Sequence, residues 1–296
     1  MALRDISTAA GYYAARVNAV LAQRTRLRGP QPPGDLFAGL RPDSSLLRVD
    51  PHRPLNKNLE IIASYIVPDD VVVDVGGGGG RMSLPMALRC REVINVEPSA
   101  AMGAGFTANA TRAGVINARV IEGDWLTIEP PIGTVALVNH VTYLTREIVP
   151  FIEKLERAGR RRVLITVNSP PQPSQQRILY QQVHGEPEEI VPGHQELINV
   201  LWEMDILPDV QVLPLPSIPL GPAVTRETAI AGTLERFKNA QWSFWPLGAD
   251  LDHRLRNLLD QRFEDLFNPT AEGFIPRWIT RGHEILITWQ PVSKGP

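Results

Sequence analysis

A single cysteine, Cys90, stands in a chain of 296 residues. That excludes an internal disulfide framework and any cysteine-rich metal site, and it fits a reducing, cytoplasmic setting. Cys90 ends a helix-like stretch and reads as a structural thiol, not a reactive one. Apolar runs are short: none approaches the roughly 20 residues that cross a bilayer, so no membrane partner is expected. The N-terminus has no apolar signal core, and Asp5 with the scarcity of Ser opposes a transit peptide despite several arginines. A surplus of one charge is missing as well. The net charge is −2, so a general nucleic-acid binder is not expected, although a local basic patch is compatible with the count. There are no internal repeats, and no low-complexity tracts beyond proline-rich loops. With 43% hydrophobic residues, the chain can bury a sizeable core, as one large α/β domain with insertions or as two smaller ones.

The densest signal present is residues 71–81, Val-Val-Val-Asp-Val followed by five glycines and Arg81. A β-branched run closing on a carboxylate and glycines reads as a buried strand ending in a tight turn. A helix then follows from Ser83, with Leu84 and Leu88 four apart. Without side chains in the way, backbone N–H groups of such a turn can approach a ligand closely. The dinucleotide fingerprint G-x-G-x-x-G does not fit, because its third glycine would fall on Arg81 or Met82. The phosphate loop G-x-x-x-x-G-K-[ST] fails too, since no Lys follows the glycines. What fits is Asp74-x-Gly76-x-Gly78-x-Gly80, and its carboxylate suits a cationic ligand better than a pyrophosphate.

Around this turn, strands and helices alternate. Strands are expected at 92–97, 118–122, 134–139, 162–167, 210–213 and 284–289. Helices are expected at 5–24, 55–67, 99–113 (capped by Ser99), 147–158, 174–183 and 194–204. Two more helices, at about 225–239 and 250–266, make an insertion spanning about 216–280. Residues 1–54 form an N-terminal helix and linker, either packed on the main domain or serving as a lid, and 55–296 form the main domain. Apolar strands alternating with helices imply a parallel sheet covered on both faces, with ligands bound beyond the strands' carboxyl ends. Asp74, Glu97, Asp124 and Asn139 fall there.

Taken in order over residues 71–167, these motifs resemble those of class I S-adenosylmethionine (SAM)-dependent methyltransferases. Asp74 to Gly80 matches the glycine motif, and Glu97-Pro98-Ser99 the second-strand acid and its follower. Gly123-Asp124-Trp125 matches the acid after the third strand, and Asn139-His140 the fourth-strand end. The resemblance implies an α/β, Rossmann-like, seven-stranded and mostly parallel sheet with helices on both faces, N-terminal helices and a helical insertion before the last strand. It also implies SAM as cofactor, with S-adenosylhomocysteine as product. Gly76, Gly78 and Gly80 would admit the methionine and ribose portions. Glu97 would accept the ribose hydroxyls and Asp124 the adenine amine, beside Pro98 and Trp125. Asp74 would orient the turn or bind the amino group, and Asn139 would help hold the methionine moiety. His140 and Tyr143 are the candidate catalytic residues, if the acceptor must lose a proton.

A small-molecule acceptor is expected. The Asn-Pro-Pro-Tyr signature of base and glutamine amino methylation is missing, and so is the acidic pair of metal-assisted catechol methylation. The alternatives are an RNA or protein methyltransferase, or a SAM-binding sensor without activity. No metal is expected, since His184, His194 and the glutamates between them match no zinc spacing. His184 could line the acceptor pocket. Arg160-Arg161-Arg162 reads as a solvated turn, and Trp242, Phe244 and Trp245 as packing in the insertion. Nothing in the sequence signals oligomeric state.

Overall fold

The computed structural model describes residues 8–29, 34–35, 37–39, 41, 47–174, 177–216, 223–240, 249–278 and 282–291. Trp242, Phe244 and Trp245 lie outside them, as do residues 5–7 of the first expected helix. That helix, α1 (Ala9–Arg28), opens where the Thr8 side chain accepts from the Gly11 N–H and closes at Gly29, φ 82°. After α2 (Lys57–Ala63), capped by Asn56, the chain alternates through β1 (Val71–Val75), α3 (Ser83–Ala87), β2 (Glu92–Glu97), α4 (Ala100–Arg112), β3 (Ala118–Glu122) and β4 (Gly133–Asn139). Ser99 caps α4 as expected, accepting from the Met102 N–H at 3.2 Å. Then follow α5 (Ile148–Ala158), β5 (Gly159–Ser169), α6 (Arg177–His184), α7 (His194–Glu203) and β6 (Asp209–Pro216).

The sheet runs β3-β2-β1-β4-β5-β9-β6, where β9 (His283–Trp289) is the last strand. Strands β1 to β5 pair in parallel, and β9 lies antiparallel between β5 and β6. Alternation along each strand sorts residues to two faces. Val73, Val75, Ala136, Val138, Ile165 and Ile287 pack with α5 and α7 on one side. Val72, Val93, Val135, Leu137, Leu164 and Leu286 pack with α2, α3 and α4 on the other. Every residue of β1 is buried, as helices on both faces require. Tyr13, Val17 and Val20 place α1 in the first of these clusters.

The insertion builds a third cluster. Its helices α8 (Arg226–Ala240), α9 (Ala249–Gln261) and α10 (Phe263–Leu266) are joined by a hairpin, β7 (Phe267–Thr270) and β8 (Gly273–Pro276), which the sequence pattern did not indicate. Four-residue strands carrying Pro and Gly show no alternation to read. One expectation is corrected: Arg160, Arg161 and Arg162 belong to β5, not to a turn. Arg161 is bound to Asp70, whose carboxylate is 2% exposed and also accepts from Thr134 Oγ1 and the Val67 N–H. Burying Asp70 demands a cation, which draws the arginine into the sheet.

Candidate functional site

The turn after β1 is built by three of its five glycines. Gly76, Gly78 and Gly80 have φ of 69°, 53° and 84°, the left-handed region, and Gly77 and Gly79 do not. This is the alternate set that the Asp74 pattern selects. The surroundings of each differ. A Cβ on Gly76 would meet Val141 at 2.7 Å, and one on Gly80 would meet Leu84 at 2.5 Å. On Gly77 it would lie 2.1 Å from Asp74 Oδ2. On Gly78 it would find nothing nearer than Met102 Sδ at 3.9 Å, so Gly78 is the open face of the turn.

Asp74 sits beneath this turn, fully buried, and neither carboxylate oxygen has a hydrogen-bond partner among the described residues. Burial pushes its carboxyl up to about 7, with the nearby Ser83 hydroxyl opposing and the Glu97 charge adding. Asn95, in β2, ties the turn from below: its Oδ1 accepts from the Gly77 N–H at 3.1 Å and its Nδ2 donates to Gly78 O at 2.9 Å. From α4, Asn109 Nδ2 donates to Gly79 O and to Leu47 O, anchoring the linker on the turn. These two asparagines went unnoticed in the sequence, and only their buried positions identify them.

Glu97 ends β2. Its Oε2 accepts from the Gly78 N–H and its Oε1 from the Ser99 N–H, both at 2.9 Å. Burial raises its carboxyl above the ordinary range, and these two N–H groups draw it partly back. Each oxygen keeps a lone pair for a further donor. Pro98 beside it is exposed.

After β3, Asp124 is exposed and its Oδ1 takes the Leu126 N–H at 2.8 Å, closing a turn. Trp125 is 5% exposed: its indole donates to Phe151 O and its ring meets Phe151 edge-on. Most of its stacking surface is thereby turned inward. Lys154 of α5 holds this loop, donating to Trp125 O at 2.6 Å and Ile128 O at 2.5 Å with its ammonium over the indole.

At the end of β4, Asn139 Oδ1 accepts from the Thr166 hydroxyl. His140 follows with φ 59°, strained for a residue with a Cβ and a common mark of a functional position. Its Nδ1 lies 3.2 Å from the Tyr143 hydroxyl, which accepts from the Asn168 N–H at 2.6 Å. Its Nε2 lies 3.3 Å from Glu284 Oε1. Burial works against the Glu284 charge, but the His140 hydrogen bond and charge, the Asn58 Nδ2 donor at 2.8 Å and Arg81 hold its carboxyl below the ordinary range. The structure therefore joins the two candidate catalytic residues and adds Glu284 and Asn58. The same edge is braced by Tyr13 of α1, whose hydroxyl donates to Thr142 O at 2.7 Å.

The His184 ring lies tilted at 41° against Tyr180, centroids 4.2 Å apart, and Glu186 accepts from Gln23 and Arg26. These residues are drawn to different neighbours.

A parallel sheet with a glycine turn after its first strand and an acid ending its second is a Rossmann-like arrangement. Residues 72–161 match the family model described as a methyltransferase domain, a span containing Asp74, Glu97, Asp124 and Asn139. By that match, residues 72–161 carry a methyltransferase domain. Two solved structures share the fold. The YcgJ protein of Bacillus subtilis is 14% identical, with 78% of this chain and 96% of that one covered and a TM-score of 0.50. The BH2331 protein of Bacillus halodurans is 12% identical, with 78% and 95% covered and a TM-score of 0.53. In sequence, 56 residues are 45% identical to the 23S rRNA (uracil(1939)-C(5))-methyltransferase RlmD of Aeromonas salmonicida. That match takes in 19% of this chain, which spans 13% of the relative's length.

Proposed function

We propose that the chain moves a methyl group from SAM to a small-molecule acceptor. The observation that carries this reading is the open face of Gly78 beside the Glu97 carboxylate, at the carboxyl edge of a matched methyltransferase domain. When bound, SAM supplies a methyl already activated on a sulfonium, so transfer needs in-line alignment and, for a hydroxyl or ammonium acceptor, removal of one proton.

The residues divide that work. Gly76, Gly78 and Gly80 let the backbone approach the methionine and ribose portions. Glu97 offers its remaining lone pairs to the ribose hydroxyls, and Asp124 accepts from the adenine amine. Pro98 gives an exposed apolar surface, and Trp125 shapes the adenine side from within the core. Asp74 orients the turn, and Asn139 meets the methionine portion. Around His140, the Tyr143 hydroxyl faces Nδ1 and Glu284 faces Nε2. A proton taken up by the imidazole there is stabilised by the Glu284 charge.

An RNA acceptor is the second reading, favoured by the short match to an rRNA methyltransferase. The balanced charge, net −2, weighs against it, because RNA binding draws on a cationic surface.

Calorimetry with SAM and S-adenosylhomocysteine tests the donor. Binding is expected, and Glu97→Ala with Asp124→Ala should weaken it by tenfold or more; unchanged binding in the double variant sinks the assignment. Labelled SAM with cell extract divided into small-molecule, RNA and protein fractions tests the acceptor. Label confined to RNA would overturn the small-molecule reading, and no transfer to any fraction would favour a sensor.

A further inference from the structure

One residue beyond the Asn168 amide that holds Tyr143, a cavity of about 470 Å³ opens on the carboxyl edge of β5. Its size suits a small molecule. Its wall gathers Arg16 of α1, Ser169 ending β5, Arg177 opening α6, the first turn of α7 from Gly193 to Glu196, and Trp278 after β8. Two of these charges are already matched. The Arg16 guanidinium bonds Ile190 O and pairs with Glu196 Oε1 at 3.2 Å, and Glu196 Oε2 takes the Gly193 N–H at 2.8 Å.

Arg177 has no ion pair among the described residues. Trp278 also lines the cavity and is only 4% exposed. The first turn of α7 adds the positive end of a helix dipole. Beside these donors, Pro170 and Val191 give the wall an apolar stretch.

We infer that this cavity seats the methyl acceptor and that the acceptor is a small organic anion, with a carboxylate or phosphate held by Arg177 and an apolar body against Pro170 and Val191. The inference rests on the methyl-transfer reading for what the cavity serves, and on its own wall for what it holds.

The test uses the full chain with benzoate, phenyl phosphate and neutral benzamide as probes, read by saturation-transfer NMR with S-adenosylhomocysteine present. Affinity for S-adenosylhomocysteine is measured alongside. Both anions should bind, and benzamide should bind at least about tenfold more weakly. Arg177→Gln should weaken the anions about tenfold and leave S-adenosylhomocysteine unaffected. Benzamide binding as tightly as the anions, no anion binding, or anion binding unchanged in Arg177→Gln would each overturn the inference. Failure of the wild-type chain to bind S-adenosylhomocysteine would overturn the donor reading, and the anion measurements would still decide what the cavity takes.

Discussion

Asp74 makes the site's chemistry visible as a stability. Its carboxyl is raised from 3.8 to about 7, so the folded state holds a proton that the unfolded state has released. The stabilisation is full below the unfolded value and is lost as pH rises through about 7, with a span on the order of 4 kcal/mol. Urea unfolding at pH 5 and pH 8 should show the wild type losing stability across this window and Asp74→Asn losing much less. Parallel profiles would refute the assignment. Glycine substitutions should separate two neighbours. Gly77→Ala sets a Cβ on the Asp74 carboxylate and should destabilise by about 2–4 kcal/mol. Gly78→Ala meets open space at positive φ and should reduce stability by only about 1–2 kcal/mol while weakening SAM binding. Thermal melts and calorimetry read the two effects apart. The positive φ at Gly76, Gly78 and Gly80 was legible in the sequence because left-handed backbone is a property of single residues, and their spacing marks it. Glu284 was not legible beside His140, because nothing local says which distant strand end will face it.

Between elements, the contacts that fix the site are side chains reaching across a gap. Lys154 reaches from α5 to two carbonyls of the loop carrying Asp124 and Trp125. Lys154→Met keeps the apolar stem but leaves both carbonyls short of a donor. It should reduce stability by about 2–3 kcal/mol and loosen SAM binding; a melt and a binding isotherm matching the wild type would count against this role. At β9, Glu284→Gln preserves an acceptor for Asn58 but removes the charge facing His140. The Glu284 carboxyl is depressed in the fold, so its stabilisation is present above the ordinary carboxylate range and lost as pH falls through the depressed value. The variant should lack that acid-side loss, and the pH dependence of kcat should shift if His140 handles a proton. Strand and helix positions from β1 to β5 were readable because buried strands and amphipathic helices have distinct periods. The β7–β8 hairpin was not, since its four-residue strands are stabilised by the third core cluster and not by their own pattern.

For the whole molecule, α1 is part of the main core. Tyr13 is fully buried, burial drives its hydroxyl well above the usual range, and it bonds the turn after β4. Tyr13→Phe should lower stability by about 1 kcal/mol. Removing residues 1–29 should lower the melting temperature of the entire domain, because Val17 and Val20 leave a void over the sheet. A truncated chain melting like the full one would assign α1 to a detachable cover. Alternation of elements made the parallel sheet readable, but strand order in space was not, because hydrophobic pattern carries no information on which strand neighbours which. The place of β9 bears on how the protein is made. Because β9 lies between β5 and β6, a chain still on the ribosome holds two strands whose shared neighbour has not emerged. Each offers an open edge until residues 283–289 arrive, the kind of surface that misassembles during synthesis. The gap closes with the same strand that delivers Glu284 to His140, so a nascent chain cannot complete that pair before it has sealed its sheet.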